Sequence, residues 1–241
     1  MEKITLFTTH KFDLNNCPPN LKNNLLNWKN LNKTFDFKYF NDEELNNWMK
    51  ENIKERTYNL FLKLNSGAGK ADLFRICYLY YHGGIWFDAD LPAFDILYQK
   101  NNFLECLNEN QAILVRNRKC NNPRYTFIAS YFKNNKLFEE LIHLINKHIE
   151  FVLKKNKRII TIHVTGPFVL HKLLNIKYNF NNITELKINK KYNFGDSHFI
   201  YINDIIPEKA GYVEENTYKG YQQDLIYMKV KPHNTINCVK N

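Results

Sequence analysis

KADLFRICYLYYHGGIWFDADLP, residues 70–92, joins a helical pattern to a short apolar strand and ends on paired carboxylates. Ser66-Gly67-Ala68-Gly69 is a loop leading into a helix predicted from about Ala68 to Tyr81, and His82-Gly83-Gly84 closes it, with glycine supplying the left-handed C-cap. Ile85-Trp86-Phe87 then reads as a short buried strand running directly into Asp88-Ala89-Asp90. Asp72 and Arg75, spaced i, i+3, project from one helix face, where they can pair with each other or grip one ligand. Strand alternation is expected to point Asp88 and Asp90 the same way at the carboxyl end of the strand, the edge where open α/β sheets bind ligands. Two close carboxylates repel unless a cation sits beside them. Hard divalent ions such as Mn²⁺ or Mg²⁺ favour oxygen donors and share their coordination sphere with substrate phosphates. The residues therefore point to a metal-diphosphate site at a sheet edge, with an Asp/Arg pair nearby.

The flanking sequence supplies the rest of such a sheet. Ile4 to Thr8 reads as a first strand, and Leu21, Leu25, Leu26 and Trp28 fit a helix face after the break at Pro18-Pro19. Phe35, Phe37 and Tyr39 alternate with polar residues at strand period, and Asn41 or Asp42 caps a helix through Leu45, Trp48 and Met49. The order β-α-β-α opens an α/β sheet. Ala112 to Val115 and Tyr125 to Ala129 read as further strands, Leu137 to Leu153 as a long amphipathic helix, and Thr165-Gly166-Pro167 as the turn before a helix ending near Leu174. The last sixty residues mix short strands and loops.

With 241 residues, 44% hydrophobic and 15% aromatic, the chain is long enough for one large domain and too aromatic to be disordered. The formal charge of +10 suits anionic partners. The basic residues are scattered, however. Lys154 to Arg158 and Lys187 to Lys191 read as solvated element ends, and no nucleic-acid motif is present, so no specific nucleic-acid partner is expected. Five cysteines without C-x-x-C spacing argue against a disulfide framework or zinc knuckle and for free thiols, with Cys77 as core filler. The N-terminus lacks a signal-peptide pattern and no window reaches the apolar length of a membrane span, so a soluble, cytoplasmic protein is expected.

Ala71-Asp72-Leu73-Phe74-Arg75 followed by Tyr80-Tyr81-His82-Gly83-Gly84-Ile85-Trp86-Phe87-Asp88-Ala89-Asp90 resembles the sugar-binding region of glycosyltransferase family 32, a block shared with the clostridial glucosylating toxins. Cys77 and Trp86 depart from the commonest residues of that pattern. Weaker similarity runs through Glu2 to Thr8, where the family's Trp is missing, through Thr126 to Ser130 and through Thr165-Gly166-Pro167. It covers most of residues 1–175 and is strong at 70–92.

The resemblance implies a GT-A fold: a single Rossmann-like domain with a mixed, mainly parallel sheet flanked by helices. Residues 1–115 would form the nucleotide-sugar half and 116–241 the acceptor side and C-terminal region. It implies a metal-dependent, retaining hexosyltransferase that uses Mn²⁺ or Mg²⁺. The donor would be a UDP-sugar, or GDP-mannose as second choice, and the acceptor a saccharide or glycoconjugate. By motif position Asp90 would ligate the metal, and Asp88 would touch the donor and hold the metal through water. Asp72 and Arg75 would hydrogen-bond the sugar. Phe7, Thr8 and Ala89 complete the expected donor site, Thr165, Gly166 and Pro167 lie on the acceptor side, and His233 is a candidate third metal ligand. Three other classes stand beside this one. They are a catalytically degenerate carbohydrate-binding or scaffold protein, a nucleic-acid binder on charge alone, and a phosphatase of the haloacid dehalogenase type. The last places its Asp-x-Asp on the first strand and wants Thr or Val where this chain has Pro92.

Overall fold

A computed structural model of the chain describes residues 3–97, 105, 107, 112–116, 123–157, 161–178, 191–194 and 197–203. In chain order the described elements are β1 (Thr5–Thr9), α1 (Pro19–Leu31), β2 (Asp36–Phe40), α2 (Asp42–Asn52), α3 (Glu55–Phe61), α4 (Gly67–His82), β3 (Gly84–Phe87), β4 (Ala112–Arg116), β5 (Pro123–Ser130), α5 (Lys136–Lys154), α6 (Thr161–Val164), α7 (Pro167–Tyr178), β6 (Lys191–Phe194) and β7 (Ser197–Asn203).

The strands form one sheet in the order β2-β1-β3-β5-β4-β7-β6. β1 pairs in parallel with β2 and β3, and β4 with β7, whereas β5 runs antiparallel to β3 and β4, and β6 antiparallel to β7. β1, β2, β3, β4 and β7 thus share one direction, and the sheet is mixed and mainly parallel, as expected. Helices cover both faces, so strand residues alternate between two cores rather than between core and water. Leu6, Ile85, Phe87, Phe127 and Ala129 join Leu21, Leu25 and Trp28 of α1 on one face. Phe7, Trp86, Ile128 and Leu114 join Phe74, Tyr78, Leu137 and Phe138 of α4 and α5 on the other. Cys17 and Cys77 are buried, one in each core, and neither forms a disulfide among the described residues.

Local chemistry explains the element ends that place the site. Asn41 and Glu44 form a reciprocal capping box at the start of α2. The Ser66 side chain accepts from the Gly69 N–H at the start of α4. At its other end Gly83 donates its N–H to Leu79 O and turns at φ 71°. Gly84 follows at φ 110°, where a Cβ would stand 2.7 Å from Thr5 O, so two glycines are required for α4 to turn into β3 beside β1.

Some expectations need correction. Leu26 faces solvent on α1, while Leu21, Leu25 and Trp28 are buried. α3 was not anticipated, because its seven residues are too few to show helical periodicity. It is held by tertiary contacts: Leu60 and Phe61 are buried, and Asn146 Nδ2 of α5 donates to Thr57 Oγ1 at 2.8 Å. Lys154, Lys155 and Lys157 are exposed at the end of α5, as expected of a solvated helix end. No helix among the described residues is long and apolar enough to cross a membrane.

Candidate active site

α4 carries Asp72 and Arg75 to the sheet, and β3 delivers Asp88 to the same place. Arg75, only 6% exposed, is the hub. Its Nη1 donates to Asp88 Oδ1 at 2.9 Å and to Tyr125 O at 2.8 Å, its Nε to Ala71 O at 3.2 Å, and its Nη2 stands 3.2 Å from Asp72 Oδ1. The guanidinium carbon sits 4.3 Å from the centre of the Trp86 ring, a cation–π contact that further fixes it. A planar fork holds its donors in a fixed, spread geometry and can reach oxygens on separate elements, whereas an ammonium carries its three donors on one atom.

Asp72 is almost fully buried. It also takes a 3.2 Å hydrogen bond from Thr165 Oγ1, a hydroxyl that faces Thr161 O at the same distance. Burial pushes its carboxyl up to about 6; the Arg75 charge and the Thr165 hydroxyl oppose that shift, and Asp88 adds to it. Asp72 is thereby a carboxylate that can hold a proton close to neutral pH.

Asp88 lies one residue past β3. Its N–H donates to Thr126 O at 2.8 Å, and its carbonyl accepts from Leu91 N–H at 2.9 Å, closing a turn over Asp88–Leu91. Asp88 thus continues the β3–β5 ladder and shares a face with Trp86, whereas Asp90 sits within the turn. The hydrogen bonds from Arg75 and from Trp86 Nε1 (3.1 Å) both fall on Asp88 Oδ1. Its Oδ2 carries no recorded bond among the described residues. Asp90 is partly exposed within the turn. Among the described residues no group of three His, Cys, Asp or Glu could enclose a metal. Two hard carboxylates at an open edge do fit an ion that takes its remaining oxygens from water and substrate phosphates, the habit of Mg²⁺ and Mn²⁺.

The other expected site residues divide. The Phe7 ring is fully buried, 4.1 Å from Tyr78 and 5.4 Å from Trp86 between centroids. Thr8 is also buried, its hydroxyl without a hydrogen-bond partner among the described residues. Ala89 is buried in the turn, its carbonyl held by Asn24 Nδ2 at 2.9 Å. Thr165 hydrogen-bonds to Asp72, while Gly166 N–H bonds back to Thr161 O and Pro167 starts α7. His233 lies outside the described residues.

Sequence reasoning missed Trp86 as the platform under Arg75, Tyr125 beside Arg75 and Asp72, and Thr161 beside Thr165. Tyr125 is 2% exposed, its ring centre 5.7 Å from the guanidinium, and its hydroxyl and that of Thr161 are buried without partners among the described residues. Burial, with the Asp72 charge next, raises the Tyr125 hydroxyl well above the usual phenol range, so it stays neutral. In the sequence Tyr125 is one of 15 tyrosines, and nothing local marks it.

Comparison with known proteins bears on this arrangement. No curated protein matches the chain. Residues 8–105 match the family described as glycosyltransferase sugar-binding region containing DXD motif, a span that holds Asp72, Arg75, Asp88 and Asp90. Among solved structures, the chain is similar in fold to the PaToxG glycosyltransferase, with a TM-score of 0.53 at 14% identity over 74% of this chain and 71% of that one. The family match thus covers the span that holds the Asp-x-Asp turn, and the structural likeness bears on the α/β fold.

Proposed function

We propose that the protein is a metal-dependent, retaining hexosyltransferase of the family 32 type. It moves a hexose from a nucleotide sugar, a UDP-sugar before GDP-mannose, to a saccharide or glycoconjugate acceptor. The observation that carries the proposal is the convergence of Asp72, Arg75 and Asp88 at the carboxyl end of β3, 2.9–3.2 Å apart, next to the Asp88–Leu91 turn. The leaving group is a nucleoside diphosphate. Asp90, with Asp88 behind it, would hold the Mn²⁺ or Mg²⁺ that neutralises charge developing on the diphosphate. Arg75 keeps Asp72 and Asp88 fixed before the donor arrives, which is the preorganisation that makes charged groups effective in a transition state. The carboxylates stabilise the oxocarbenium-like sugar as its bond to phosphate breaks. Residues 1–115 supply the donor side, and Thr165, from the later half of the chain, supports Asp72 there.

The test is hydrolysis and transfer over a panel of UDP-sugars and GDP-mannose. Turnover should vanish with EDTA and return with Mn²⁺, and Asp90→Asn should lose turnover with little change in melting temperature. Full activity in chelator would remove the metal from the proposal, and turnover of none of the donors would remove the proposal itself.

A further inference from the structure

The Asp88–Leu91 turn is gripped from a helix that carries none of the site's charged residues. Asn24 and Trp28 on α1 and Asn32, the C-cap residue just past it, are spaced i, i+4, i+8 and are all buried. Asn24 Nδ2 donates to Ala89 O at 2.9 Å and to Leu91 O at 2.8 Å, the two carbonyls that bracket Asp90, while its Oδ1 accepts from Ala93 N–H at 3.0 Å. Trp28 Nε1 adds a second bond to Leu91 O at 2.8 Å. Asn32 repeats the pattern one step along, donating to Phe94 O and accepting from Ile96 N–H, both at 2.9 Å. An amide that meets two carbonyls and an N–H at once replaces the ladder bonds these backbone groups would make in a sheet, and buried backbone groups must be paired somewhere.

We propose that Asn24 is a positioning residue for the catalytic turn: it fixes the backbone on both sides of Asp90 and so sets where that carboxylate stands relative to Asp88. The inference rests on the transferase reading for its consequence in catalysis, though not for its consequence in the turn. Asn32 is the matched control. It also makes three buried hydrogen bonds, from the C-cap of the same helix, with Trp28 O, Phe94 O and Ile96 N–H, but none next to Asp90.

Asn24→Leu and Asn32→Leu are compared in the full-length chain by hydrogen exchange and by Mn²⁺ titration of donor hydrolysis. Loss of the Asn24 bonds should speed amide exchange across residues 88–93 by about tenfold. It should also raise the half-saturating Mn²⁺ concentration by about tenfold and lower kcat. Asn32→Leu should lose a similar amount of melting temperature but leave both readouts within about twofold of the parent. If Asn24→Leu does not fold, Asn24→Asp serves instead, because it keeps the shape and the bond from Ala93 while removing the two donors that flank Asp90. Unchanged exchange at 88–93, or equal effects of the Asn24 and Asn32 variants on Mn²⁺ dependence, would overturn the assignment. If the parent protein turns over no nucleotide sugar, the transferase reading falls while the exchange result still decides whether Asn24 holds the turn.

Discussion

Arg75→Lys keeps the charge and removes the fork, which isolates what the guanidinium geometry does. Among the described residues the Arg75 side chain serves at least four oxygens: Ala71 O, Tyr125 O, Asp88 Oδ1 and Asp72 Oδ1. A lysine ammonium has three donors on one atom and cannot span acceptors on α4, β5 and the Asp88 turn together. At least one buried oxygen loses its partner, and the stacking on Trp86 goes as well. A hydrogen bond to a charged group contributes about 1.5–3 kcal/mol, so the expected loss of stability is about 2–3 kcal/mol. For a chain of 241 residues that corresponds to a fall in Tm of roughly 4–12 °C. Because the same bonds hold Asp72 and Asp88 ready for the donor, kcat/KM should fall by about thirty- to a hundredfold or more. Nucleoside diphosphate alone, which lacks the sugar, should bind nearly as before. Thermal and urea unfolding read the first quantity, donor hydrolysis the second, and calorimetric titration with Mn²⁺ and nucleoside diphosphate the third. A Tm within a degree or so of the parent would refute the four-oxygen hub, and lost diphosphate binding with normal turnover would refute the placement of Arg75 on the sugar side.

Two further expectations follow from the same geometry. With its carboxyl raised from 3.8 to about 6 in the folded state, Asp72 binds a proton there that the unfolded chain has already released. Its contribution to stability is therefore full below pH 4, falls as the pH rises from about 4 to about 6, and is level above that, a change on the order of 3 kcal/mol. Asp72→Asn cannot titrate, so the stability difference between variant and parent should move in the variant's favour across that window; parallel curves would show that Asp72 does not hold its proton. Gly84→Ala should lower stability by about 3 kcal/mol or more, because its Cβ would meet Thr5 O at 2.7 Å with φ at 110°. A fully stable Gly84→Ala protein would show that β1 and β3 approach less closely than described.

Much of the fold could be read from periodicity and punctuation alone. The helix over 68–81, its glycine stop, the apolar strand and the Asp-x-Asp after it are local features, governed by residues within a few positions of one another. Joined in that order they also carry the family resemblance. The capping box at Asn41 and Glu44 is equally local. What local pattern could not supply is which distant side chains meet. Tyr125 reaches Arg75 across 50 positions and Thr165 reaches Asp72 across 93, and each is an ordinary residue in its own neighbourhood. Phe7 sits on a strand that ends at the site, yet its ring turns into the core, because strand period 2 sends it to the face that α4 covers. Asn24 looks like one asparagine among many until α1 packs it against Ala89, Leu91 and Ala93. The spacing of Asp72, Arg75, Asp88 and Asp90 was legible in the sequence. Their orientation was decided by a buried network drawn from α1, α4, β5 and the segment before α7, because paired buried polar groups hold only where the tertiary fold brings both partners together.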